Sequence, residues 1–134
     1  MQTWLPYANY KQSVQCLDDA RLVKQRQECE ILFDSLWNGG GWINHPAAQM
    51  WVSYPREFCR YWTVVTVECA RRGFKVNRFP PDYERMRLAP TLPSWLGDEK
   101  FHASHRSALL RKNPEWYRRF KWQEPEMLPY EWPE

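Results

Sequence analysis

Cysteine pairs, long apolar runs and a charge of one sign are all missing from this chain. Cys16, Cys29, Cys59 and Cys69 include no Cys-x-x-Cys spacing, which argues against a zinc knuckle or ribbon. His102 and His105 stand three residues apart, but no third ligand follows at a matching spacing, so no metal site and no cofactor are expected. The start has no basic segment followed by an apolar run, so no secretory leader is expected. No stretch approaches the ~20 apolar residues of a membrane-spanning helix. These absences lead to the expectation of a soluble, intracellular (cytoplasmic) protein whose four thiols are reduced and buried. The net charge is only +3, from 19 basic and 16 acidic residues. That balance allows a local basic face for nucleic acid without demanding one.

What the chain has in excess is aromatic surface. Nine tryptophans among 134 residues are more than one core of this size needs. Some of the rings are therefore expected on a surface, where they stack on bases or fill interfaces. Hydrophobic residues at 43% and a length typical of one domain give a single folded unit over residues 1–134.

Periodicity makes that unit mainly α, a compact bundle of three main helices with long irregular loops. Ser13 can cap a helix running to about residue 37, with Leu22, Cys29, Phe33 and Leu36 on its inner stripe. Asn38 and Gly39–Gly41 end it. Asn44-His45-Pro46 opens a short helix to about residue 54, with proline at its first position. Pro55 opens the next, which runs to Arg72 with Phe58, Trp62, Val65 and Cys69 inward. There Arg71 and Arg72 suit the negative end of the helix and Gly73 can close it. Residues 74–96 are proline-rich and aperiodic, a loop expected to pack across the bundle. Asp98 can cap a helix to about Lys112, and residues 115–121 can add a turn after Asn113-Pro114. Residues 123–134 carry three prolines and read as an extended tail.

Several clusters carry chemistry. Arg21, Lys24 and Arg26 on the first helix can contact phosphates or form a plain solvated face. His45 can cap the following helix or meet DNA. His105 and Arg106, near Arg111 and Lys112, favour phosphate binding. Trp116-Tyr117-Arg118-Arg119 and Lys121-Trp122 interleave aromatics with cations, the pattern of a surface that stacks on bases while neutralising phosphates. Trp116 can equally staple the core. Trp37, Trp42, Trp51, Trp62 and Trp95 are expected to be structural.

Four stretches resemble the pyrimidine-dimer DNA glycosylase family (phage endonuclease V type), in chain order. Met1-Gln2-Thr3-Trp4-Leu5-Pro6 resembles the opening of bacterial members. Gly41-Trp42-Ile43-Asn44-His45-Pro46 resembles their segment between the first helices. Glu68-Cys69-Ala70-Arg71-Arg72-Gly73-Phe74 resembles the end of the phage enzyme's second helix. Asn113-Pro114-Glu115-Trp116-Tyr117-Arg118 resembles a segment near its C-terminus. The resemblance implies a DNA repair enzyme, acting as a monomer on double-stranded DNA with a base lesion. It would cleave the glycosidic bond at a pyrimidine dimer or related lesion and nick the abasic site. The family's nucleophile is a free α-amine, which forms a Schiff base with the sugar. Such an amine has a pKa near 8, so a useful fraction is neutral at pH 7. The family also places a carboxylate on its first helix to stabilise the cationic sugar.

Two departures bear on catalysis. Gln2 stands where the phage enzyme exposes threonine, so the amine would be that of Met1. A gap-free register matches Arg21 to the family's Arg-Glu pair and leaves Leu22 in place of the acid. Asp18 or Asp19, one turn earlier, can supply it; Asp18 is preferred, and Glu28 lies farther round. Lys24 is the reserve nucleophile if the amine is blocked. Leu22 also keeps open a non-catalytic binder of damaged or modified DNA on the same fold.

Overall fold

The computed structural model of the chain describes residues 3–88 and 91–133. Its elements are all helical: α1 (Tyr10–Gln15), α2 (Asp19–Trp37), α3 (Pro46–Trp51), α4 (Pro55–Arg71), α5 (Glu99–Lys112) and α6 (Pro114–Tyr117), with 3-10 turns at Tyr83–Arg85 and Arg118–Phe120. The expected mainly α architecture is found, and α2, α4 and α5 are its three long helices. No helix among the described residues is long and apolar enough to cross a membrane.

The first helix expected from residue 13 to 37 is instead two. Asn9, not Ser13, caps α1, its side chain accepting from the Gln12 amide. Ser13 bridges back to Tyr7, donating to its carbonyl and accepting from its amide. Asp18 is extended (φ −67°, ψ 161°) and starts α2 afresh. The corner between them persists because Arg72 takes its carbonyls. The guanidinium donates to Leu17 O at 2.7 Å and Gln15 O at 3.1 Å, and also binds Asp19 and Glu68. Such charge-assisted bonds replace the helical bonds a continuous run would have made.

The third expected helix is close to plan, and its end fits its sequence. Gly73 has φ +87°. The Phe74 amide donates to Cys69 O and the Gly73 amide to Ala70 O, the paired pattern of a glycine-closed helix. α3 stops three residues earlier than expected, at Trp51. The loop of residues 74–96 does cross the bundle. Arg78 holds Asp34 with two 2.9 Å bonds and lies over the Trp62 ring. Trp95 Nε1 donates to Met50 O.

Trp4, Trp51, Phe58, Tyr61 and Trp62 form the centre of the core, each at most 1% exposed. Trp51 alone meets the rings of Trp4, Tyr10, Phe58, Tyr61 and Trp95. Each such ring pair adds about 0.5–1.5 kcal/mol beyond burial. The presence of Trp4 here is the feature that builds the site. Residues 3–6 run through the core as a strap. The Trp4 amide donates to His105 Nδ1 (2.7 Å), and its carbonyl accepts from Tyr61 (3.1 Å). Leu5 O meets His102 Nδ1, and Pro6 O accepts from Arg106. The tail packs along α5, where Ser104 and Ser107 take up its backbone groups.

Candidate active site

Thr3 is 1% exposed and marks where the strap begins. Its hydroxyl pairs with Tyr130 Oη at 2.9 Å, and Lys112 Nζ lies 2.9 Å from that phenol and 3.5 Å from Thr3 Oγ1. The last turn of α5 and the tail thus converge on the start of the chain. From the other side comes α2. Arg21 donates to Lys112 O and to Asp18, which draws α2 against α5.

Two turns beyond Arg21 on the same face of α2 lies Glu28, 6% exposed. Burial lifts its carboxyl above the usual range, opposed by the positive charges of the chain's α-amino group, Lys24 and Lys112. A buried acid among cations is the arrangement that proton transfer and stabilisation of a cationic intermediate both need. Sequence reasoning missed Thr3 and Tyr130, set Glu28 behind Asp18 as lying farther round the helix, and named Lys112 only as a cation near His105 and Arg106. One signal was there for Glu28: spacings of 3, 4 and 7 put Arg21, Lys24 and Glu28 on one helical face.

The expected site residues divide into three groups. Met1 lies outside the described residues. Lys24, Arg118 and Lys121 are exposed, and Arg21 is half-buried with its guanidinium on Asp18 and Lys112 O. The Arg119 guanidinium lies 3.7 Å over the half-buried Trp116 ring, and Trp116 Nε1 donates to Cys16 O, so this ring both staples the fold and carries a cation.

The third group is spent inside the protein. Asp18 is buried at the start of α2, accepting from Tyr117 Oη (2.5 Å), Arg21 and Asn113. Its carboxylate ties α2 to α6. Tyr117 is 0% exposed, which removes it from any DNA surface. His105 is also 0% exposed, and burial pushes its pKa down to about 3, aided by the charges of His102 and Lys112. Arg106 binds Glu99, Glu124 and Pro6 O, leaving no free guanidinium for phosphate. Arg26 is paired with Glu30 at 2.5 Å. His45 accepts from the Ala47 amide and caps α3. Partial burial lowers its pKa, so the ring is neutral near pH 7.

No thiol competes as a nucleophile. All four cysteines are buried free thiols, and burial pushes Cys59 up to about 11 and Cys16 to about 12. Among the described residues no group of three or more His, Cys, Asp or Glu could hold a metal ion.

No curated protein and no solved structure matches the chain. The family defined as pyrimidine dimer DNA glycosylase matches residues 1–81. That span holds the strap, α1 to α4 and Glu28. With well over half of its length matched, the chain belongs to the pyrimidine dimer DNA glycosylase family.

Proposed function

We propose that the protein excises a pyrimidine dimer or related base lesion and then nicks the abasic site, using the α-amine of Met1 as nucleophile and Glu28 as the assisting carboxylate. Thr3 is held on three sides by α5, the tail and the core. Two residues span at most about 7 Å, so chain length alone keeps an α-amine two residues before Thr3 near that corner. The observation that carries the reading is Glu28, a buried acid on α2 whose neighbouring charges include that amine.

In the reaction the neutral amine attacks C1′ of the damaged nucleotide. The glycosidic C1′–N bond breaks, its electron pair leaving with the base. The departing base takes a proton from water. One proton of the attacking nitrogen passes to O4′ as the C1′–O4′ bond breaks and the sugar ring opens. A protonated imine then joins the amine nitrogen to C1′. Glu28 opposes the positive charge that develops at C1′. It then accepts a proton from C2′, and those C–H electrons expel the 3′ phosphate as the C3′–O bond breaks. Water releases the amine. An acid held above the usual carboxylate range suits a proton acceptor working near neutral pH. Leu22, which favours a non-catalytic binder, is 0% exposed in the core. That burial supports seeking the acid elsewhere on α2.

Borohydride reduction in the presence of duplexes carrying a thymine dimer or an abasic site, followed by peptide mapping, tests the reading. A covalent adduct at Met1 is expected, with trapping lost in Glu28→Gln while DNA binding survives. An adduct at Lys24 would move the nucleophile. Binding without any adduct would overturn the imine mechanism.

A further inference from the structure

The loop between α2 and α3 holds two apolar side chains in solvent, Trp42 at 42% and Ile43 at 45% exposure. A tryptophan was expected to be structural here, yet its backbone is pinned while its ring is offered outward. Ser35 Oγ accepts from the Trp42 amide at 3.1 Å, Trp42 O accepts from the His45 amide, and Ile43 O accepts from Gln49. Gly40 sits so close to α2 that a Cβ there would lie 2.9 Å from Ser35 Cα. An exposed indole on a tightly seated loop is a flat face that a base can stack on with little loss of side-chain freedom.

The ring is connected to the candidate site. Trp42 lies 5.0 Å from the His45 ring, and His45 meets Trp132 at 6.2 Å. Trp132 stacks on Tyr130 at 5.3 Å, and Tyr130 bonds Thr3. This ladder of rings leads from the surface to the start of the chain. On α2, Ser35 and Glu28 are seven residues apart on one face, about 10 Å along the axis. His45 is neutral, so the ladder offers π-faces rather than a phosphate contact.

We infer that Trp42 is the stacking platform for a nucleobase displaced from the duplex at the lesion, at the outer end of the ring ladder that leads to Thr3. The inference rests on the lesion-processing reading above. Access to C1′ within a duplex requires a base at the site to leave the stack, and a flat aromatic ring compensates an unstacked base whatever its identity.

The test uses 2-aminopurine placed in turn beside and opposite a thymine dimer, with the full chain and its Trp42→Ala and Trp42→Phe variants. Wild-type binding should unstack the probe at one position but quench it against the indole. The Trp42→Ala complex should be brighter there and cleave the dimer duplex roughly 5- to 150-fold more slowly, with Trp42→Phe recovering most of both. Trapping on a single-stranded abasic oligonucleotide should stay within about twofold, since no duplex has to be opened. The inference is overturned if Trp42→Ala matches wild type in probe signal and dimer cleavage, if Trp42→Phe is as impaired as Trp42→Ala, or if wild type leaves the probe stacked at every position. The probe signal does not depend on chemistry. A brighter Trp42→Ala complex with no trapped adduct in wild type would sink the imine mechanism and keep the platform. Wild-type trapping with a silent Trp42→Ala would do the reverse.

Discussion

Acid should loosen the strap through His105, by an amount that can be worked out. The imidazole is 0% exposed and its Nδ1 accepts from the Trp4 amide. Its proton is therefore on Nε2, which finds no hydrogen-bond partner among the described residues. Adding a second proton would put a charge in the core and remove the acceptor that holds Trp4. The folded pKa is about 3, against about 6.5 in an unfolded chain. A histidine lowered on folding takes up its proton on unfolding. Its stabilising contribution is whole above about pH 6.5 and falls as pH drops toward 3. Between pH 7 and pH 5 the loss comes to about 2 kcal/mol, and it grows by about 1.4 kcal/mol for each further pH unit. Urea unfolding followed by tryptophan fluorescence at pH 5, 6, 7 and 8 would measure it. His102, also lowered mainly by burial, adds a slope of the same sign, so the comparison needs His105→Asn, which keeps an acceptor but cannot titrate. The variant can be less stable at every pH; the decisive quantity is its pH slope. An undiminished slope in His105→Asn would refute the assignment.

Glu28 gives a second pH signature: with its pKa raised by burial, the trapping rate should climb with pH through a limb above the ordinary value of about 4.3, and Glu28→Gln should lose that limb along with most of the rate. A wild-type limb at or below pH 4 would remove Glu28 as the proton acceptor. Gly40→Ala should cost about 1–3 kcal/mol in urea unfolding, because the new methyl lies 2.9 Å from Ser35 Cα; an unchanged midpoint would mean that the loop is not seated on α2. Neutralising the exposed Arg118, Arg119 and Lys121 together should reduce the slope of log affinity against log salt by up to about 3, and an equal slope in the variant would place these cations away from the phosphates.

Most of the fold could be read from local signals, and the failures share a cause. α4 carries both of its boundaries in sequence, Pro55 at the start and Gly73 after the end, and between them an inner face with 3.6-residue spacing. The break at residues 16–18 carries no such mark. It exists because Arg72, more than 50 residues away in sequence, takes the carbonyls of Gln15 and Leu17. Long-range side-chain bonds of this kind leave no trace in local periodicity. Only Asp18-Asp19, two residues that favour helix starts, hinted at it.

The site was less legible for a related reason: charge in a sequence does not say where the charge is used. Arg106 resembles a phosphate ligand until Glu99 and Glu124 are seen to occupy it. Asp18 resembles a catalytic acid until Tyr117, Arg21 and Asn113 surround it. Glu28 differs from both in the kind of neighbours it has. Its surroundings are cations from α2, from the end of α5 and from the start of the chain, three segments that meet only after folding. A register aligned on Arg21 alone points one residue onward, to Leu22, which faces the core. Following the face that Arg21 itself occupies leads two turns onward to Glu28. For a helix that presents one face to substrate, the acid is better sought by shared face than by adjacency, because successive residues point about 100° apart while residues seven apart nearly coincide.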